Sequence, residues 1–520
     1  MSPKPYLAKS NGQLLETHLV ATALKTVEAL FDILDIEVLK RNDLLVKIIR
    51  MAILGGAASD LGKITNSFQK LVDRTTISDP DEEEEDKSKK FNGPYHNEVS
   101  WALIKYYLNE PYSSALSNDR RRARRREIVQ SCVYYHHPVN YNFSSRDYRF
   151  KSVDSILDEL ENQGEDIDSL LEESKFLIKA VLEKIDEKIG GQYEVSTCLS
   201  DQNLDFSDFT TPEFTLVGKN YNQSTIREDA VFKLMLFAIQ YGDIQASRMN
   251  EDQASRYVDE FSFKDVQTPP VIKKAHKEVI DTSKRTSDQV NIANKIKLKK
   301  ISAGGFDMGS GKTTVMTLSC ETESFMVALP HISKVDALKK TIKKDYLRTF
   351  GRVPSVNAIH SKATEYTENA DINLIVWDRM LTGLYERKDL EFFYRSMKED
   401  IAIDEFHEIV GTPDMVTSMA TFLFMRRLLK PRTILLSGTP DQVVLDILLG
   451  GDWKSGSSQT QFIDRTELPE YALDNPSLNP RFKIQLIQDD LSVDRHEELV
   501  GDLKDTAIVL NSIKRVQEET

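Results

Sequence analysis

The chain has 520 residues, 40% of them hydrophobic and 29% charged, with a formal net charge of −14. That length holds about three domains with ample core material, and the acidic balance argues against a protein that coats nucleic acid indiscriminately, since nonspecific binding runs on phosphate neutralisation. No apolar run approaches the length of a spanning helix and the opening MSPKPYLAKSNG lacks a signal-peptide core, so no membrane association or export is expected and the cytosol is the expected location.

From Gln13 to about Leu34 the pattern QLLETHLVATALKTVEALFDIL reads as a helix with Leu15, His18, Leu19, Leu30 and Ile33 on one face, which points His18 inward. MAILGGAASDLGKITNSFQKLV reads as a second helical segment and NEVSWALIKYYL as a third, beginning just after His96. Asp79 to Asp86, DPDEEEED, is a solvated loop. RRRARRR, from Arg120 to Arg126, is either a solvated helix face or a local phosphate-binding patch.

YYHHPVN then sets His136 beside His137 in a chain of only nine histidines. Adjacent helical residues point about 100° apart, so both rings serve one site only at a helix end or turn, which Pro138 supplies. Either the pair faces a metal, or backbone carbonyls satisfy it. Val153 to Ile189 is acidic but amphipathic, with Leu170, Leu171, Leu177, Ile178, Val181, Leu182 and Ile185 at helical spacing before Gly190 and Gly191. It reads as a helical insertion, about 151–191, in an all-helical domain of residues 1–263. The three cysteines, Cys132, Cys198 and Cys320, form no CxxC pair, so no thiolate zinc site is expected.

A polar, Lys-rich linker over 264–300 follows. Short apolar runs then alternate with helices: FMVALP, VNAIH, INLIVW, DIAID and TILLS, each ending where a polar motif starts. This is the pattern of a parallel sheet with crossover helices, spanning 301–445, whose ligand site lies at the carboxyl ends of the strands. The expected fold class is multidomain, an all-α metal domain followed by an α/β P-loop domain.

FDMGSGKTT supplies the nucleotide signal. Gly309, Ser310 and Gly311 permit a tight loop whose N–H groups wrap phosphate oxygens, Lys312 neutralises the β and γ phosphates, and the Thr313 hydroxyl can ligate Mg²⁺. Downstream, DEFH places Asp404 to hold Mg²⁺ through water and Glu405 to polarise the attacking water, with His407 beside them. ILLSGTP puts Ser437 and Thr439 after another strand. The order GSGKT, DExH, SGT resembles superfamily 2 helicases, whose first motif often lacks the leading glycine that is Phe306 here. ALPHISKVDAL is similar to their motif Ia, and Gln289 sits where an adenine-reading glutamine lies. The resemblance implies a RecA-like lobe binding ATP and Mg²⁺.

In the helical part the polar residues run His18, Asp60, His96, His136, His137 and Asp243, a ligand set suited to one or two divalent metals. Taken alone, His18 reads as a satisfied core histidine. LAKS, SDLGK, YHNEVS, YYHHP and GDIQAS, followed by the helicase motifs, resemble the helicase-nuclease effector of type I CRISPR-Cas systems from end to end. The resemblance implies an HD-type nuclease domain that cuts single-stranded DNA with a transition metal such as Mn²⁺, Co²⁺, Ni²⁺ or Fe²⁺. It also implies an ATP-driven 3′ to 5′ translocase, and an RNA-guided surveillance complex as partner. Carried over by residue, Asp60 bridges, His96, His136 and His137 complete one metal position, and His18 with Asp243 the other. Lys63 matches the lysine that follows the metal-binding Asp.

Two departures shape the expectations. Ser59 stands where the family has histidine, so the His18/Asp243 position should bind metal weakly or not at all. Residues 446–520 should form a connector and the start of an incomplete second lobe, DTAIVLNSIKRVQEE, so ATP binding without robust hydrolysis is expected, with a separate chain or a truncation accounting for the remainder. The rival readings are an HD phosphohydrolase acting on nucleotides and a non-catalytic ATP- and DNA-binding fragment.

Overall fold

The computed structural model describes residues 5–41, 45–77, 94–108, 129, 132–136, 152–191, 193, 223–267, 278–306, 310–360, 367, 369–382, 390–411, 413–440, 442–449 and 460–464. His137, Gly309, the acidic and arginine runs and the C-terminal stretch from 465 lie outside them.

The first helix, α1 (Leu15–Ile33), is buried on nearly every side and not on one face alone. Ala21, Thr22, Ala23, Thr26 and Ala29 fill its other faces, and such small side chains let neighbouring helices approach closely. Packed around it are α3 (Leu45–Ala58), α7 (Ile167–Ile189), α8 (Gln223–Ser247) and α9 (Glu251–Glu260). The short α2 (Ile36–Arg41) leads from α1 to α3. The second expected helical segment is broken: α3 stops at Ala58, a 3₁₀ turn covers Leu61–Ile64, and α4 runs Asn66–Ile77. The break leaves Asp60, at φ −106 and ψ 15, at the N-terminal boundary of that turn. Helix α5 (His96–Leu108) starts at His96 itself.

The acidic stretch forms α6 (Val153–Asn162) and α7, whose first turn is capped by Asp166 accepting from the Ser169 N–H and whose end is the left-handed Gly190. The seven apolar positions from Leu170 to Ile185 that the periodicity marks are all buried. The expected linker contains two helices, α10 (Phe263–Gln267) and α11 (Lys284–Ile296), and α11 packs on the helix that follows the P-loop.

Seven strands make one sheet in the order β3-β4-β2-β5-β6-β1-β7, every pairing parallel. They are β1 (Ile301–Gly305), β2 (Phe325–Leu329), β3 (Val356–Ile359), β4 (Ile372–Val376), β5 (Asp400–Asp404), β6 (Thr433–Ser437) and β7 (Thr460–Ile463). The five apolar runs and KKISAGG supply six of them. The seventh falls inside the expected connector and adds to the edge beside β1, so the sheet reaches beyond residue 445. Near-continuous burial along β2, β4 and β6 is what a sheet covered on both faces requires.

The two faces have different company. Phe325, Val327, Leu374, Ala402, Ile434 and Leu436 belong to a core under α11, α12 (Lys312–Ser319) and α13 (Ile332–Phe350). Met326, Ala328, Ile375, Ile401, Ile403 and Leu435 belong to a core continuous with the helical half. Helix α8 lies on α14 (Pro413–Arg427), which follows the DEFH turn. The end of α1 is sewn to the same lobe: Asp35 N–H donates to Leu428 O at 2.8 Å, and Lys430 N–H to Ile33 O at 2.8 Å. Lys430 Nζ donates to the Phe31 carbonyl at 2.7 Å, the C-terminal helix end that favours a cation. No helix among the described residues is long and apolar enough to cross a membrane.

Candidate metal centre and nucleotide site

Asp60 is fully buried, and four side chains converge on it. His18 Nε2 lies 2.8 Å from Oδ2 and Lys63 Nζ 2.6 Å from the same oxygen. His96 Nε2 and His136 Nε2 lie 3.2 and 3.3 Å from Oδ1. Asp243 Oδ1 stands 3.3 Å from His18 Nε2. Five separate segments contribute: α1, the turn after α3, α5, the YYHH stretch and α8.

Two glycines permit this convergence. A Cβ on Gly62 would meet the His96 carbonyl at 2.1 Å, and the Gly62 N–H donates to Ser100 Oγ at 2.7 Å, which presses the Asp60 turn against the start of α5. A Cβ on Gly242 would meet Thr26 Oγ1 at 2.4 Å and Thr22 O at 2.7 Å, so α8 and α1 touch backbone to backbone beside Asp243 and His18.

The donors group into two sets that share Asp60: Asp60, His96 and His136, and His18, Asp60 and Asp243. His136 supplies a test of whether they fit a cation. Its Nδ1 is 2.6 Å from Val133 O, and a carbonyl can only accept, so Nδ1 carries a proton. In the neutral ring Nε2 then directs a lone pair at a carboxylate, an arrangement stabilised by a cation between them. Three imidazoles and two carboxylates suit a borderline divalent metal. Ser59 contributes nothing to the set: it is buried, and its hydroxyl donates to Gly56 O at 2.9 Å.

LAKS contains a further residue that bears on the site, Lys9. Lys9 Nζ donates to Ser247 O at 2.6 Å, and Ser247 Oγ donates to Asp243 Oδ1 at 3.2 Å. Gln13 Nε2 reaches Ala246 O at 3.2 Å, so the segment before α1 caps the end of α8 that bears Asp243. Burial lowers the Lys9 pKa, with the nearby Lys63 charge adding to it and Asp243 and Asp60 opposing.

The nucleotide motifs meet at the carboxyl ends of three neighbouring strands, β1, β6 and β5. Gly311, at φ 92, opens α12. Lys312 Nζ holds Glu405 Oε1 at 2.9 Å, and the Gly438 N–H donates to Glu405 Oε2 at 3.3 Å. Glu405 has φ 53, a left-handed conformation uncommon for a residue with a side chain. Burial opposes its ionisation, yet the Lys312 hydrogen bond and charge outweigh that and hold the carboxyl below its ordinary range. Burial pushes Asp404 upward, Lys312 pulling it down and Glu405 adding to the rise. His407 Nδ1 and Ser437 Oγ, 2.7 Å apart, link DEFH to SGT, and the Thr439 N–H donates to Ser437 Oγ at 3.0 Å.

Thr313 lies in the first turn of α12, half-buried. Gln289, expected to face adenine, is buried against the loop, where its Nε2 donates to Ser310 O at 3.0 Å. Phe306, in the place of the missing glycine, is fully buried and donates its N–H to Ser437 O at 2.9 Å, tying β1 to the SGT motif. Motif Ia also touches the turn that continues from DEFH: Glu408 holds Lys334 and lies 3.3 Å from His331 Nε2.

No family model matches the sequence. No curated protein matches it. Among solved structures, the chain is similar to T. fusca Cas3 with AMPPNP at 14% identity and TM-score 0.46, covering 86% of this chain and 51% of that one. T. fusca Cas3 with ADP gives 15% and 0.47, with coverage of 89% and 53%. A structure described as a CRISPR-associated protein gives 13% and 0.43, with coverage of 85% and 52%. The chain thus spans about half the length of these structures.

Proposed function

We propose that the chain is a CRISPR type I helicase-nuclease polypeptide that cuts single-stranded DNA at the Asp60 centre and couples the cut to an ATP-binding motor lobe. The observation that carries this reading is the convergence of three imidazole Nε2 atoms, Asp243 and Lys63 about one buried carboxylate. On this reading His96, His136 and, by resemblance, His137 hold a metal with Asp60, and His18 with Asp243 form a weaker position. The bound cation, Mn²⁺, Co²⁺, Ni²⁺ or Fe²⁺, supplies a water of lowered pKa and neutralises charge on the phosphodiester. Lys63 contributes a fixed positive charge that eases the approach of a phosphate to carboxylates, and Lys9 steadies the helix end that bears Asp243.

In the motor lobe, Ser310, Gly311, Lys312 and Thr313, with Gly309 by motif, receive the phosphates of ATP, and Asp404 holds Mg²⁺. Lys312 pairs with Glu405. Phosphates that take over the Lys312 ammonium release Glu405 to orient water. The His407–Ser437 contact then carries the change into SGT. The partners on this reading are single-stranded DNA and an RNA-guided surveillance complex.

The test is incubation of the purified chain with circular single-stranded DNA and Mn²⁺, Co²⁺ or Ni²⁺, without ATP. Cleavage is expected in the parent and in Lys312→Ala, and is lost in His136→Ala. Release of phosphate from free nucleotides with the circles left intact would overturn it in favour of a nucleotide phosphohydrolase.

A further inference from the structure

Helix α13 concentrates positive charge in a chain whose net charge is −14. Its sequence, ISKVDALKKTIKKDYLRTF, carries six cations against two carboxylates. The buried side is Val335, Ile342, Tyr346 and Thr349. Lys340 and Lys344 stand exposed on the opposite side, flanked by the half-buried Lys339 and Lys343. Both carboxylates have other company: Asp336 lies 3.4 Å from His360 Nε2 and Asp345 lies 3.6 Å from Arg348 Nη2. Lys334 belongs to Glu408. The four central lysines have no ion-pair partner among the described residues.

Lys339 with Lys343 and Lys340 with Lys344 are like charges at i,i+4, spacings that weaken a helix. A solvated face with no task has no need of four such lysines within six residues, and mixed signs would serve solubility better. The face also lacks what single-strand platforms use: Tyr346, one of the two rings of α13, is buried, and Phe350 packs on the core beneath, so no aromatic side chain is presented for base stacking. Lysines without rings read phosphate alone.

We propose that the solvent face of α13, through Lys339, Lys340, Lys343 and Lys344, docks the phosphate backbone of double-helical DNA. This surface is separate from the Asp60 centre, and the proposal rests on the DNA-directed reading above only for the identity of the polyanion. It gives the lobe a hold on duplex while the single strand engages elsewhere.

The experiment measures binding of a blunt duplex and of an unstructured single strand by fluorescence anisotropy over a salt series. It compares the parent chain with Lys339→Gln/Lys340→Gln/Lys343→Gln/Lys344→Gln, since glutamine keeps helix propensity. Each lost contact removes about 0.9 from the slope of log K against log salt, so the duplex slope should fall by about three to four with the single-strand slope unchanged. An unchanged duplex slope, no duplex binding by the parent, or equal losses for both nucleic acids overturns the proposal. Mn²⁺-dependent cleavage of circular single strands by both proteins is read in parallel: its absence speaks against the nuclease reading and leaves the duplex result standing. Melting curves that coincide show that the variant is folded.

Discussion

Lys63 Nζ sits 2.6 Å from Asp60 Oδ2, the same oxygen that His18 Nε2 approaches to 2.8 Å. Both members of this ion pair are buried, so the ammonium is a countercharge held directly on the carboxylate. Removing one partner of a buried pair typically costs about 3–5 kcal/mol. Lys63→Met should therefore lower the melting temperature in chelator, and added Mn²⁺ should recover most of the loss by replacing the missing charge. A loss that Mn²⁺ leaves untouched would contradict this role.

Ser59 spends its hydroxyl on Gly56 O, which leaves the His18/Asp243 set without a further ligand from that position. Metal content after dialysis against micromolar Mn²⁺ should be one ion per chain. His136→Ala should abolish it and Asp243→Asn should leave it in place. Two fully occupied ions, seen by anomalous scattering, would show that three donors suffice at the second position.

The two close glycines separate these positions experimentally. Gly242→Ala forces α8 from α1 and should cost about 1–3 kcal/mol of stability, with metal affinity kept within a few-fold. Gly62→Ala drives the Asp60 turn from the His96 carbonyl and should lower metal affinity by about 10–100-fold, the range for disturbed ligand support. Calorimetric metal titration beside denaturant unfolding distinguishes them, and equal effects on affinity would deny that His96 and Asp243 serve different positions.

Glu399, the residue before β5, has its carboxyl raised from 4.5 to about 7, because burial outweighs Arg395 and the hydrogen bonds from Ser324 and Asn373. The folded state binds this proton more tightly than the unfolded state, so the stability it contributes is present below pH 4.5 and is lost as pH rises through about 7. The melting temperature of Glu399→Gln relative to the parent should therefore climb between pH 5 and 7, roughly the interval between the two pKa values, and level off above it. A difference that does not vary with pH would refute the assignment.

Much of this was legible in the sequence because periodicity reports burial directly. The five apolar runs became strands, and His18 and Asp60 came out buried in the helical half. The Ser59–Asp60 break in the second helical segment was not legible, since its cause is tertiary: Gly62 must meet α5 and Asp60 must meet three histidines from elsewhere in the chain. The helix inside 264–300 was hidden by its polar composition, because only Thr286, Gln289, Ile292, Ala293 and Ile296 turn inward. Gln289 shows the same limit: its place in the motif order was readable, while its bond to Ser310 depends on how α11 folds back onto the loop.

The most direct measurement is cleavage of circular single-stranded DNA by the parent and by Asp60→Asn, with Mn²⁺ content determined on the same preparations and ATP absent. The parent should hold Mn²⁺ and open the circles, and the folded Asp60→Asn should do neither. Cleavage by Asp60→Asn at the parental rate, or a folded parent that binds no metal and leaves the circles intact, would contradict a nuclease built on this carboxylate.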